Sequence, residues 1–175
     1  MTPFLSCGIL ALVILVIQKE QTCCFSGHRI ISSVHRAEME ATLDKQIQKQ
    51  INEGICNFIT GGALGFDTLA AESVLRLRKE FPQIRLILAL PCENQTQGWA
   101  LAEKIRYEEI LLQADEVHCL SKTYTKTCMM RRNRFMVNNS SCCIFYLTRM
   151  QSGTYKTVEY AIEQGIKLCN ILSED

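Results

Sequence analysis

The sequence holds ten cysteines without a single CxxC pair, and only three histidines stand beside them. A zinc site needs convergent Cys and His ligands, so this pattern does not indicate one and no metal is expected. Excess charge is lacking as well. Nineteen Lys and Arg against 18 Asp and Glu leave a net charge of +1, which rules out a globally basic nucleic-acid binder. The uncharged apolar run Phe4 to Ile17 covers fourteen residues, whereas a bilayer span needs about 20. A secretory signal would carry basic residues before such a run and a small-residue cleavage site after it, but Met1-Thr2-Pro3 precedes and Gln18-Lys19-Glu20 follows. The two common nucleotide fingerprints, GxGxxG and GxxxxGKS/T, are also missing.

What is present is ordinary globular material. At 175 residues, 47% hydrophobic and 21% charged, the chain suits one domain with a substantial core and is not disordered in composition. Residues 1–20 are expected to be an apolar N-terminal extension outside the fold, and 21–175 the domain. Membrane association follows only if that extension is a genuine part of the protein. Cys23-Cys24 and Cys142-Cys143 lie inside apolar runs, where thiols behave as small buried hydrophobes. Such cysteines read as reduced core residues of a cytoplasmic protein.

Strand and helix patterns alternate along the chain. Thr22 to Phe25, Ile55 to Ile59, Ile84 to Leu90, Glu116 to Leu120, Cys142 to Leu147 and Lys167 to Leu172 read as strands. Helical spacing covers Ala37 to Glu53, Leu64 to Lys79, a segment ending near Gln113, Thr127 to Val137 and Thr157 to Gln164. The alternation predicts an α/β fold, a mostly parallel sheet with helices on both faces. In such sheets ligands sit beyond the carboxyl ends of the strands. Ser26 to Arg29, Thr60 to Asp67, Pro91 to Trp99 and Ser152 to Thr154 all follow strands, so they are expected to share one rim.

The stretch Thr60-Gly61-Gly62-Ala63-Leu64-Gly65-Phe66-Asp67 stands out as a strand, glycine turn and helix in succession. That geometry exposes backbone N–H groups at a helix N-terminus, where the dipole also attracts anions. A phosphate-bearing ligand is therefore expected there, although glycines also relieve crowding where a helix packs closely on a sheet.

Several segments together carry a resemblance to a known family. Ser26-Gly27-His28-Arg29, the glycine turn followed by Ala70-Ala71-Glu72, Pro91-Cys92 with Gln95 and Trp99, Ala114-Asp115, and Arg132-Asn133 with Met136-Val137 resemble the YpsA-like branch of the SLOG superfamily. That superfamily includes the DNA-processing protein DprA/Smf and the LOG-type phosphoribohydrolases. The likeness spans Gln21 to Leu172 and implies a single Rossmann-like domain that binds a nucleotide-like ligand, with ADP-ribose, an NAD-derived molecule or a nucleotide as candidates. Two departures stand out. Asn138-Asn139-Ser140-Ser141 lacks both acids of the family's Asp-x-Ser-Asp pattern, and Ser152-Gly153-Thr154 keeps one glycine of Gly-Gly-Thr.

The ligand-binding set expected is Ser26, Gly27, His28, Arg29, Thr60, Gly61, Gly62, Gly65, Asp67, Arg132, Asn133, Ser152, Gly153 and Thr154. Arg29 or His28 would reach a phosphate or a base edge, and Asp67 a ribose hydroxyl. Trp99 would either stack on a base or pack on a neighbouring helix. Met129 to Met136 resembles the Met-x-x-Arg-Lys-x-x-Met motif of the LOG-type enzymes, and Thr157-Val158-Glu159 their later Glu motif. This resemblance makes Arg132 and Glu159 the candidate catalytic pair for N-glycosidic cleavage, through an oxocarbenium-like state stabilised by a carboxylate.

The leading expectation is a small-molecule sensor or regulatory module, with a nucleoside-monophosphate phosphoribohydrolase as the alternative. Homodimer formation is left open. Nucleic acid is not expected as a partner, although Lys122, Lys126, Arg131, Arg132 and Arg134 form a local basic stretch that would suit a DprA-like single-stranded DNA binder.

Overall fold

The computed structural model describes residues 17–32, 34 and 36–172. Of the extension expected over 1–20, residues 1–16 therefore lie outside the described residues, while Ile17 packs against the core and the Gln18 carbonyl accepts from Thr22 Oγ1 at 2.7 Å. After a short 3-10 turn at Lys19–Gln21, the described chain alternates strictly. The order is β1 (Thr22–Gly27), α1 (Arg36–Asn52), β2 (Asn57–Thr60), α2 (Phe66–Leu77), β3 (Arg85–Leu90), α3 (Leu101–Gln113), β4 (Glu116–Cys119), α4 (Cys128–Asn138), β5 (Cys142–Tyr146), α5 (Gly153–Glu163) and β6 (Lys167–Asn170).

The strands form one sheet in the order β4-β3-β2-β1-β5-β6. Every neighbouring pair is parallel, so the sheet is wholly parallel where the sequence predicted a mostly parallel one. This is an α/β, Rossmann-like fold. Strand order reverses beside β1, because β2 to β4 build outward on one side of it while β5 and β6 lie on the other. The crevice at the carboxyl ends of β1 and β5 is thus the topological switch point, where such sheets bind ligands.

Alternation along the strands divides the core in two. Cys23, Phe25, Phe58, Leu86 and Leu88 point into the layer under α1, α2 and α3, packing on Leu43, Ile47, Ala70 and Val74. Cys24, Ile59, Ile87 and Cys143 point the other way, onto Met136 and Val137 of α4 and Val158 and Ala161 of α5. Coverage of both faces is why the central strands read as unbroken apolar runs. Each fully buried Phe, Leu or Ile contributes about 1.5–3 kcal/mol relative to exposure. Cys23 lies opposite Cys142 and Cys24 opposite Cys143 in the β1–β5 register. All nine described cysteines are free thiols, and Cys119 is exposed.

Element boundaries differ from the sequence reading at several ends, and three of the differences have a plain local reason. Ile55 does not begin β2, because its N–H returns to the Gln50 carbonyl and closes the end of α1. α2 begins at Phe66 instead of Leu64. Gly65 precedes it with φ at +80°, and the Phe66 N–H donates to the His28 carbonyl at 3.1 Å. α5 starts at Gly153, four residues ahead of the expected Thr157, because Ser152 caps it by accepting from the Tyr155 N–H at 3.1 Å. The second glycine turn is therefore the first turn of a helix. No helix among the described residues is long and apolar enough to cross a membrane.

Candidate functional site

A cleft of about 490 Å³ opens at the switch point. The end of β1 and the loop after it supply Ser26, Gly27, His28 and Arg29, α2 supplies Asp67, α4 supplies Met129, Arg132 and Asn133, and the approach to α5 with its first turn supplies Arg149, Gln151, Ser152, Gly153 and Thr154. Ten of the residues expected from the sequence thus meet in one place. Arg149 and Gln151 were not foreseen; the only signal for Arg149 was a basic residue just after a strand, on the rim where the other loops gather.

Thr60, Gly61, Gly62 and Gly65 do not line this cleft. Thr60 is fully buried, and its Oγ1 donates to the Asp67 carbonyl at 3.2 Å. Gly61 permits a close approach: a Cβ there would overlap the Arg132 guanidinium, and Asp67 Oδ2 lies 2.7 Å from where it would sit. Gly62, at φ +61°, packs against Gln95, Leu90 and Tyr107. Gly65 lies so near the His28 and Arg29 carbonyls that no side chain fits, and its positive φ favours glycine in any case.

The anion attracted by this turn is the protein's own. Asp67 Oδ2 accepts from the Ala63 N–H at 3.3 Å and from Arg132 Nη1 at 3.3 Å, with both side chains under one-tenth exposed. Burial pushes the Asp67 carboxyl above its ordinary range, while Arg132, the amides of Ala63 and Gly61, and Arg29 pull it down. Burial likewise lowers the Arg132 guanidinium, and Asp67 opposes that shift. Two buried charges hold each other here, an arrangement in which loss of either partner is costly.

Arg132 is also fixed from its other side. Its Nε donates to Asn133 Oδ1 at 2.7 Å, Asn133 Nδ2 donates to Thr157 Oγ1 at 2.7 Å, and Thr157 Oγ1 donates to the Gly153 carbonyl at 2.9 Å. This chain of bonds ties the buried arginine of α4 to the first turn of α5. Asn133 stands where the LOG-type motif has Lys, and here it positions Arg132.

The α5 end of the cleft is open. Ser152 Oγ donates to the Arg149 carbonyl at 2.9 Å while it caps the helix, and a Cβ on Gly153 would meet nothing within 4 Å. Helix N-termini of this kind attract anions through free N–H groups and the dipole. Arg29 and Arg149, both exposed, line the same cleft. His28 is buried, and its Nε2 accepts the Thr148 N–H at 2.9 Å, so the neutral ring carries its proton on Nδ1. Burial and the nearby Arg149 lower this imidazole below its ordinary 6.5.

Glu159 is not brought to Arg132. It is exposed on α5 and absent from the lining of the cleft, bordering a groove that shares Met129, Asn133 and Gly153 with the cleft and runs beside Lys156, Thr157 and Tyr160. It accepts a hydrogen bond from the Tyr155 hydroxyl and thereby raises that group's pKa. Trp99 is half-buried, its ring set edge-on to Tyr107 at 5.6 Å. Among the described residues no three His, Cys, Asp or Glu side chains gather as a metal-binding group.

Comparison with known proteins matches the chain to a family. The YpsA family model, described as the YspA SLOG family, matches residues 33–167. The chain is 30% identical over 133 residues to the uncharacterised SPbeta prophage-derived protein YoqJ of Bacillus subtilis, covering 69% of this chain and 76% of YoqJ. It is 32% identical over 116 residues to the UPF0398 protein BH1768 of Halalkalibacterium halodurans, covering 65% of this chain and 59% of that protein.

Among solved structures, DNA processing protein A (DprA) of Streptococcus pneumoniae superposes with a TM-score of 0.62 at 21% identity, over 88% of this chain and 50% of that one. The Helicobacter pylori protein of the same name, described for its single-stranded DNA binding mode, gives 0.62 at 17% identity over 88% and 66%. At such identities the likeness shows the fold alone. The chain spans about half to two thirds of these longer proteins.

Proposed function

The chain belongs to the YspA SLOG family, and we propose that it is a binding module, a sensor or regulatory protein, for a nucleotide-derived ligand such as ADP-ribose or a nucleoside phosphate. One observation carries this reading. Three guanidiniums, from Arg29, Arg132 and Arg149, and the capped, open N-terminus of α5 face one cleft, whereas its one carboxylate, Asp67, is already paired with Arg132. The local field favours a phosphate, and its seat is at Gly153 between Arg29 and Arg149. A cleft of about 490 Å³ lies within the range of small-molecule sites.

Binding without catalysis is the form this arrangement supports. Arg132 is committed to Asp67 and Asn133, and Glu159 lies outside its cleft. The experiment is a thermal-shift series with ADP-ribose and AMP on the wild type and Gly153→Asp. An acid at a helix N-terminus does not harm the helix, but it places a negative charge where the phosphate would sit. The wild type gains melting temperature with ligand, and the variant does not. Absence of any shift across a nucleotide panel overturns the proposal.

A second reading is single-stranded DNA binding, favoured by the DprA-like fold and by exposed Lys122, Tyr124, Lys126, Arg131 and Arg134 along one stretch. It weighs against the sequence-based expectation that nucleic acid is not a partner. Gel-shift binding that weakens steeply with salt supports it, and absent or salt-independent binding rejects it.

A further inference from the structure

Resting on the reading of the α5 end as a phosphate seat, we propose that the groove next to it receives the nucleobase of the same ligand, stacked on Tyr124. The edge of that base would be met by the carboxamides of Asn94 and Gln97. This groove, of about 410 Å³, shares Arg29 and Met129 with the phosphate cleft, so the two depressions adjoin at those side chains. A nucleotide laid through both would keep its phosphate at Gly153 and its base beyond Arg29.

Tyr124 is the aromatic left for this role. It is 61% exposed in the loop between β4 and α4, and no ring among the described residues packs on it. Trp99, on the same groove, is half-buried against the core and held T-shaped to Tyr107. An open aromatic face beside a cationic cleft is how proteins hold bases, since every base offers a π-face.

The edge contacts follow from the hydrogen bonds already made. Asn94 Nδ2 donates to Gln97 Oε1 at 3.3 Å, which leaves Asn94 Oδ1 as an acceptor and Gln97 Nε2 as a donor on the lining of the same groove. A carboxamide acceptor and donor match an amino group beside a ring nitrogen, the pattern adenine presents. Gln95 is not available in this way, because its Nε2 donates to the Gly62 carbonyl at 3.3 Å.

Titration calorimetry with AMP and ribose 5-phosphate separates this inference from the reading it rests on. Wild-type protein binds AMP about tenfold more tightly than ribose 5-phosphate, Tyr124→Ala loses that margin, and Tyr124→Phe keeps it. Ribose 5-phosphate affinity is the same in all three proteins. An undiminished margin in Tyr124→Ala overturns the base site while leaving the phosphate seat intact. Failure of the wild type to bind either compound overturns both. Tighter binding of a ten-residue deoxyadenosine strand than of AMP overturns the mononucleotide as occupant.

Discussion

The turn after β2 and the turn before α5 look alike on paper: each places glycine at a strand's carboxyl end, ahead of a helix N-terminus. In the folded molecule the first is filled from within. Asp67 takes the Ala63 amide and the Arg132 guanidinium, and that guanidinium occupies the space a Gly61 side chain would need. The second is capped by Ser152 and stands open at Gly153. Glycine in the first turn serves packing; in the second it leaves room. Amide donors at a helix N-terminus stay open to an outside anion only where the fold has not already supplied one.

That comparison can be broken most severely at Gly65. Gly65→Ala forces a side chain into a positive φ and against the Arg29 and His28 carbonyls, and we expect a loss of about 3 kcal/mol or more in urea denaturation. If that variant is as stable as wild type, the first turn is not the rigid packing element described. Next comes Asp67→Asn, which strands the buried Arg132 charge. Its cost should be about 3 kcal/mol, read as a lowered denaturation midpoint.

At the second turn the effects shrink. Ser152→Ala removes the cap of α5 and should cost about 1 kcal/mol, measured the same way. Acidification probes the link between the two regions through His28. Its folded value is lowered, so its contribution to stability is present above 6.5, the unfolded value, and is lost as pH falls through the lowered folded value. Denaturation midpoints should decline over that window, and His28→Gln should flatten the decline. Gly153→Ala is the mildest change: with no atom within 4 Å of its Cβ, stability should stay within about 0.5 kcal/mol of wild type. A larger loss would show that this end is as closed as the first.

Much of the fold was legible because its signals are local. Ile84 to Leu90 could be read as a doubly covered strand from its own residues, and the rim loops followed from the alternation of elements. The candidate site was legible as a set of loops and not as a set of contacts. Arg132 and Asp67 stand 65 positions apart, so nothing near either residue announces the pair. Arg149 gave no periodic or spacing signal. It became part of the cleft only when β5 was laid beside β1. Glu159 shows the reverse: a motif-like position that helical phase turns out to solvent.

By itself, then, the sequence determined the alternation of six strands with five helices, the covered parallel sheet and the gathering of loops on one edge, since each depends on the spacing of apolar and turn residues within a few positions. The tertiary structure alone decided which helix N-terminus is free and which arginine is spent on an internal carboxylate. It also decided that Tyr124 and the Asn94–Gln97 pair border the same groove. Those outcomes depend on strand order and side-chain occupancy across long separations, where the energy of a buried charge is settled by whichever partner the packing brings within about 3 Å.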